Sequence, residues 1–215
     1  MPAARPTAEQ GQARRPRVYA SPRRQKQAAE TKAAVLGAAC ALFSQRGWAG
    51  TGMRDIASAA EVSVETVYAL FGSKPELFQA ALDVSIVGDL APVSVASRPE
   101  FKALGEQGRT EAIRVSARMV ARSHRDSAGL QRALREAALA DPSLGAVLAE
   151  NEERRRSDVA TGFELVAGRR PTPIERDGRW ALTSFEIYDL LVARSGWSLR
   201  RYEDWLVERL SSLEQ

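Results

Sequence analysis

The chain has one cysteine and one histidine in 215 residues. One cysteine rules out a disulfide framework, and Cys40 falls between Leu36 and Phe43 on the apolar side of a helical pattern, where core packing is its expected role. A redox sensor would need an exposed thiolate instead. One histidine leaves no Cys/His pair and no second imidazole for a metal site, and neither a glycine-rich phosphate loop nor an HExxH spacing is present. General-base chemistry would fall to carboxylates scattered over polar faces, so no enzyme, no cofactor and no metal are expected. No stretch reaches the ~20 apolar residues of a membrane helix; the longest, residues 33 to 43, is interrupted by Gly37 and is amphipathic. Strand-forming runs are also sparse. The periodic segments all carry helical spacing, and an all-α protein with one good core or two small ones is expected from 215 residues that are 44% hydrophobic.

What the chain does have is a lopsided charge. Arg5, Arg14, Arg15, Arg17, Arg23, Arg24 and Lys26 stand against Glu9 alone in residues 1 to 28, so a net charge of +4 for the whole chain leaves the remainder net acidic. A stretch this rich in Arg, Pro, Ala and Gln cannot fold on its own apolar surface. It has no apolar run for a secretory signal, and its prolines at 2, 6, 16 and 22 oppose the amphipathic helix of a transit peptide. A cytoplasmic protein with a disordered basic arm over residues 1–28 is expected. Within that arm, Arg23, Arg24 and Lys26 lie close enough to the first helix to neutralise phosphates beside a minor groove; the bland alternative is a solvated tail.

Residues 51 to 78 are the most specific part. Met53, Ile56, Ala57 and Ala60 fall at i, i+3, i+4 and i+7, with Thr51 available as N-cap and Arg54 facing outward. The pattern breaks at Glu61-Val62-Ser63, where Ser63 can cap a second helix from Val64 to Leu70 or Phe71. Val67, Leu70 and Phe71 point that helix inward, leaving Val64, Glu65, Thr66, Tyr68 and Ala69 toward solvent or a ligand. A helix this short must be held by its neighbours. Ser73-Lys74-Pro75-Glu76 then reads as a capping box opening a third helix to about Gly88, and Lys74 beside its N-terminus suits a phosphate. A preceding helix, about Ala29 to Gln45, completes the unit.

This segment resembles the DNA-binding domain of the TetR family of bacterial transcriptional repressors. The matching residues include Val35-Leu36, Ala39, Leu42-Phe43, Gly47-Trp48, Thr51, Arg54-Asp55-Ile56-Ala57, Ala60, Val62-Ser63, Thr66-Val67-Tyr68, Phe71, Ser73-Lys74 and Leu77. The resemblance covers roughly residues 30 to 80. It implies phosphate contacts from Thr51, Ser63, Tyr68 and Lys74 and base contacts from Val64, Glu65 and Thr66, with Glu65 accepting from cytosine N4 and Thr66 or Val64 on a thymine methyl. Glu61 departs from the family, which usually has glycine in this turn.

The expected organisation is therefore an arm over 1–28, a helix-turn-helix domain over 29–78 and a helical ligand-binding and dimerisation domain over 79–215. In the last, a helix from Arg109 to His124 aligns Ile113, Ala117, Val120 and His124, with Ser116 and Met119 alongside, as the wall of a small-molecule pocket or as ordinary core. Helices at 126–140 and 143–166 follow, the latter with i, i+4 pairs Glu150/Arg154 and Glu152/Arg156 on a solvated face. Two closing helices, about Gly178–Arg194 and Ser198–Leu213, carry a surplus of large apolar residues. Trp180, Phe185, Tyr188, Leu191, Tyr202, Trp205, Leu206 and Leu210 are expected to pair two copies as a homodimer, which the resemblance also implies. The reading is a repressor that binds a palindromic operator in double-stranded DNA and is released by a small molecule. The alternative is a helical ligand-binding or scaffolding protein without operator recognition.

Overall fold

The computed structural model describes residues 22–88 and 95–213, and every regular element among them is helical. Helix α1, Pro22–Arg46, begins seven residues before the expected start. Proline at its first position has no N–H to lose, and the Arg, Gln, Lys and Ala that follow are good helix formers. The arm is therefore helical from residue 22, which corrects the reading of Arg23, Arg24 and Lys26 as disordered; residues 1–21 lie outside the described residues. Helices α2 (Met53–Ala59), α3 (Val64–Phe71) and α4 (Lys74–Val87) follow the apolar periodicity closely. The turn between α2 and α3 turns on Glu61, the one described non-glycine residue with positive φ, at 54°. That left-handed conformation brings Val62 N–H to 3.0 Å from Ala57 O.

The aromatic rings of Phe43, Trp48 and Phe78 lock α1 onto α4, with centroids 4.8 Å apart for Phe43 and Phe78 and 5.6 Å for Trp48 and Phe78. The core they anchor does not end with α4. Leu130, Ala133, Leu134 and Leu144 from the second half of the chain are buried in the same cluster as Val35, Ile56, Val67 and Leu82.

After two 3-10 turns and the short α5 (Pro99–Lys102), α6 runs unbroken from Arg109 to Ala138. The expected break near residue 125 is absent because Arg125-Asp126-Ser127 contains no helix breaker. Gly129 lies within α6 at its crossing with α1. A Cβ built there would stand 2.5 Å from Ser44 Cβ and 2.9 Å from Ser44 Cα, so only glycine lets the two helices approach this closely. Helix α7 (Pro142–Ala167) packs back along α6. Its basic triplet does not form the expected i, i+4 pairs. Arg154 reaches Asp83 at 3.3 Å, Arg156 reaches Asp177 at 2.7 Å, and Glu152 is held by Arg155 at 2.8 Å and Arg135 at 3.0 Å. Arg135 also meets Glu186 at 2.6 Å. The charges thus bridge α4, α6, α7 and the closing helices instead of decorating one solvated face.

The helix expected at Gly178–Arg194 is two. Helix α8 covers Pro173–Leu182; α9, Phe185–Tyr188, continues into a π-helical turn at Asp189–Arg194. The break between them has a local cause: Thr183 Oγ1 donates to Arg179 O at 2.8 Å, and Ser184 Oγ accepts from Ile187 N to start the next helix. The start at Pro173 is fixed by a capping box, with Thr172 N donating to Glu175 at 2.8 Å and Glu175 N to Thr172 Oγ1 at 3.3 Å. The Arg169 guanidinium first, then the Thr172 N–H and hydroxyl, hold the Glu175 carboxyl down at about 2. Helix α10, Leu199–Leu213, lies against α6 and α8.

Five of the eight residues expected at a dimer interface lie inside the protomer. Phe185, Tyr188, Tyr202, Leu206 and Leu210 are buried, all but Leu210 in a cluster with Ala117 and Ala121 of α6. Trp180, Leu191 and Trp205 are half-buried. His124 is mid-helix, not at a helix end, and is 6% exposed amid Phe185, Tyr188 and Tyr202, with its Nδ1 3.3 Å from Tyr202 Oη. Burial first, then the charges of Arg155 and Arg135, push its pKa down to about 3.

Substitutions and a pH series test this packing. Gly129→Ala should lower the melting temperature, because overpacking against Ser44 costs about 1–3 kcal/mol and outweighs the ~1 kcal/mol gain in helix propensity. Gly37→Ala, with nothing within 4 Å of the added Cβ, should raise it. Glu61→Gly should relieve about 1 kcal/mol of left-handed strain and raise the melting temperature by a few degrees, whereas Glu61→Val should lower it. His124 takes up its proton in the unfolded chain near pH 6.5 but resists it when folded, so its contribution is present above that pH and is lost as pH falls toward 3. Between pH 7 and 5 the urea-derived stability should fall by about 2 kcal/mol, and His124→Phe should remove most of that slope, since no other histidine titrates there.

Candidate nucleic-acid interface

The outward face of the α2–α3 pair is built by caps. Gly52 N donates to Asp55 Oδ2 at 2.7 Å, which ties down the start of α2. Ser63 Oγ accepts from Thr66 N at 3.2 Å and lies 3.0 Å from Thr66 Oγ1, which fixes the start of α3. These bonds hold the first turn of α3 in place while Val67 and Phe71 pack beneath it. The side chains left standing out are Glu65, Tyr68 and Ala69, with Thr66 half-buried. Val64 is half-buried and packs partly on the core, so it offers less surface than the sequence suggested. Tyr68 is 49% exposed, a large aromatic side chain on an open surface.

Glu65 is exposed and ionised. Its own backbone N–H and the Ser63 hydroxyl hold its carboxyl below the ordinary glutamate range. At neutral pH it is therefore an acceptor only, the form that suits an exocyclic amine on a base edge. Arg54 projects from α2, exposed and with no ion-pair partner among the described residues. Farther along α1, residues 22–30 are all exposed, so Arg23, Arg24 and Lys26 extend the basic surface; Lys26 sits 3.8 Å from Glu30.

Thr51 requires a correction. It is 1% exposed, and its hydroxyl lies 2.9 Å from Gly47 O and 3.2 Å from Leu42 O. That proton satisfies carbonyls at the end of α1, so Thr51 anchors the α1–α2 turn and has no hydroxyl to offer a phosphate. Gly52, not Thr51, is the N-cap of α2. At α4, Ser73 Oγ accepts from Glu76 N at 3.3 Å, which is one arm of the expected capping box. Lys74 Nζ donates to Trp48 O at 2.7 Å and sits 4.0 Å from the centroid of the Trp48 ring. Sequence reading found the lysine but not its partner, although Trp48 directly follows the glycine that stops α1.

The residues expected to wall a ligand pocket lie along α6 and divide between separate clusters. Ile113 and Ala117 are buried in two different apolar clusters, Met119 and Val120 are half-buried at their edges, and His124 belongs to the aromatic cluster. Ser116 is the polar exception: it is 6% exposed and accepts from Arg179 Nη2 at 2.7 Å. Arg179 of α8 is itself 3% exposed, a buried cation that sequence periodicity did not single out.

The sequence profile described as bacterial regulatory proteins, tetR family, matches residues 35–81. A helix-turn-helix transcriptional repressor of Mycobacterium tuberculosis is 46% identical over 54 residues, which are 25% of this chain and span only 29% of that relative. Among solved structures, a TetR-family regulator from a Rhodococcus species aligns over 87% of this chain and 100% of its own, with a TM-score of 0.68 and 19% identity. A TetR-family member from Streptomyces coelicolor aligns over 86% and 99%, with a TM-score of 0.62 and 23% identity. A multidrug binding protein complexed with imidazole aligns over 91% and 92%, with a TM-score of 0.55 and 24% identity. At these identities the structures establish the shared fold and nothing finer. What sequence adds to that fold is similarity to the TetR family of bacterial regulatory proteins over residues 35–81.

Proposed function

We propose that the protein is a DNA-binding transcriptional regulator that reads a palindromic operator as a homodimer, represses, and is released by a small molecule. The observation that carries this reading is the capped first turn of α3. It presents Glu65, Thr66 and Tyr68 outward beside Arg54 and the start of α4, the geometry by which a short helix enters a major groove while its neighbour crosses the backbone. The helical start of α1 adds Arg23, Arg24 and Lys26 as phosphate contacts. Dimerisation falls to the outer faces of the closing helices, where Ile174 is 81% exposed, Leu190 is 48% exposed and Trp180, Leu191 and Trp205 keep part of their surface. Effector binding is supported by the fold shared with the multidrug binding protein and by the buried Ser116–Arg179 pair, a polar anchor among apolar walls. For release, the effector must bind one spacing of the two reading heads better than the other.

Selection of bound duplexes from a random library, with wild type and Glu65→Ala at two salt concentrations, tests this function. The wild type should yield a palindromic consensus. Glu65→Ala should relax it at one symmetric pair of positions, by about 1–3 kcal/mol of discrimination. Enrichment of no sequence at either salt would overturn operator reading and favour a ligand-binding or scaffolding role.

A further inference from the structure

From Arg114 to Arg135, helix α6 carries six arginines, and five of them are paired with carboxylates. Arg114 meets Glu111 at 3.5 Å, Arg118 meets Glu203 of α10 at 3.2 Å, Arg125 meets Asp126 at 2.7 Å and Arg132 meets Asp189 at 3.1 Å. Arg135 holds Glu152 and Glu186. Arg122, in the middle of the row, is exposed and has neither an ion-pair nor a hydrogen-bond partner among the described residues. Residues 118, 122 and 125 stand at i, i+4 and i+7, so three guanidinium groups share one edge of the helix, while Ala117, Ala121 and His124 of the same turns are buried. Like charges at these spacings oppose helix formation.

Helix α10 lies alongside. Between the two helices is a cleft of about 600 Å3, lined from α6 by Arg118, Arg122 and Arg125 and from α10 by Leu199, Arg200, Glu203 and Asp204. Four cations thus face two carboxylates, a surplus of two positive charges, and Leu199 is the one apolar side chain in that lining. Arg200 is nearly as free as Arg122: its side chain is 92% exposed and reaches Asp204 at 4.0 Å, the outer limit of an ion pair. A lipophilic molecule gains little from such walls. An anion with two or more negative charges replaces the repulsion between the arginines with charge-assisted bonds, and guanidinium forks match the paired oxygens of carboxylate and phosphate. The volume is that of a small-molecule site, larger than a single phosphate requires.

We propose that the cleft between α6 and α10 binds a compact multivalent anion, a polyphosphate or a polycarboxylate, with Arg122 and Arg200 as its main contacts and Arg118 and Arg125 at its sides. The cleft opens on the outer edge of α6 and is a different place from the buried Ser116–Arg179 pair. Its occupancy does not depend on DNA binding.

Isothermal titration calorimetry of the full chain at low salt, with sodium tripolyphosphate and with citrate, tests it. At least one of the two should bind saturably, one anion per chain, and the one that binds more tightly assigns the ligand to phosphate or to carboxylate chemistry. Arg122→Gln and Arg200→Gln should each weaken that binding roughly tenfold, and Asp204→Asn should tighten it about threefold. All three positions are exposed, so folding is retained and circular dichroism can verify it. Arg114→Gln removes the same charge one turn outside the cleft and should leave affinity within about twofold of wild type. No saturable binding of either anion would overturn the proposal. An equal loss in Arg114→Gln would do the same, by reducing the effect to the diffuse field of a basic surface. A matching loss of affinity for a mixed-sequence DNA duplex in Arg122→Gln and Arg200→Gln would assign the cleft to the DNA surface and overturn it as well.

Discussion

The close crossing of α1 and α6 at Ser44 and Gly129 is the constraint on which the rest of the structure depends. Because no side chain separates the helices there, Leu130, Ala133 and Leu134 reach the cluster built by α1 to α4, and α6 becomes part of that N-terminal core. The same 30-residue helix carries Ile113 and Ala117 into the two clusters of the second half. A rigid rod with its two ends in different cores transmits displacement directly, since close-packed interiors shift as units instead of deforming continuously. Charge reinforces the rod: Arg135 on α6 binds Glu152 of α7 and Glu186 of α9, and packs over the Phe185 ring.

The helix-turn-helix was legible because its information is local. Apolar spacing set α2 and α3, Ser63 marked the second start, and Glu61 occupied the position where the backbone turns left-handed. The closing helices were harder for the opposite reason. A surplus of Trp, Tyr and Leu shows that two faces are buried, but periodicity cannot say whether a second copy or the chain's own α6 buries them. Tyr202 and Leu206 face α6, and only tertiary structure shows that. Thr51 was misread because a threonine before a helix looks like a cap whatever its hydroxyl meets. Its burial against two carbonyls depends on how α1 ends. The break at Thr183-Ser184 was hidden for a related reason, since hydroxyls that bond to the backbone interrupt a helix without the glycine or proline that usually announces it.

Several polar groups in the interior of the second half of the chain are tied to partners on other helices. Arg179 spans from α8 to Ser116 on α6, Asp189 in the π-helical turn holds Arg132 and Arg194 at 3.1 and 3.0 Å, and His124 meets Tyr202. Such contacts add little net stability, because desolvation offsets much of what they gain. They do select one packing among several, since sliding a helix by one turn would strand a buried charge or hydroxyl at a cost of about 1–3 kcal/mol or more. The apolar clusters supply the free energy of folding and the polar links fix its register.

The beginning of α1 has a different character. Residues 22–30 touch no core, and the first buried side chain of that helix is Val35. Nine residues of exposed helix are close to the length at which helix and coil have equal free energy in water. Fraying there breaks backbone hydrogen bonds without exposing apolar surface, so it is uncoupled from global unfolding. The amides of these turns therefore exchange with solvent through local opening, at a rate that reports how firmly the basic end of α1 is held and is independent of the stability of the core.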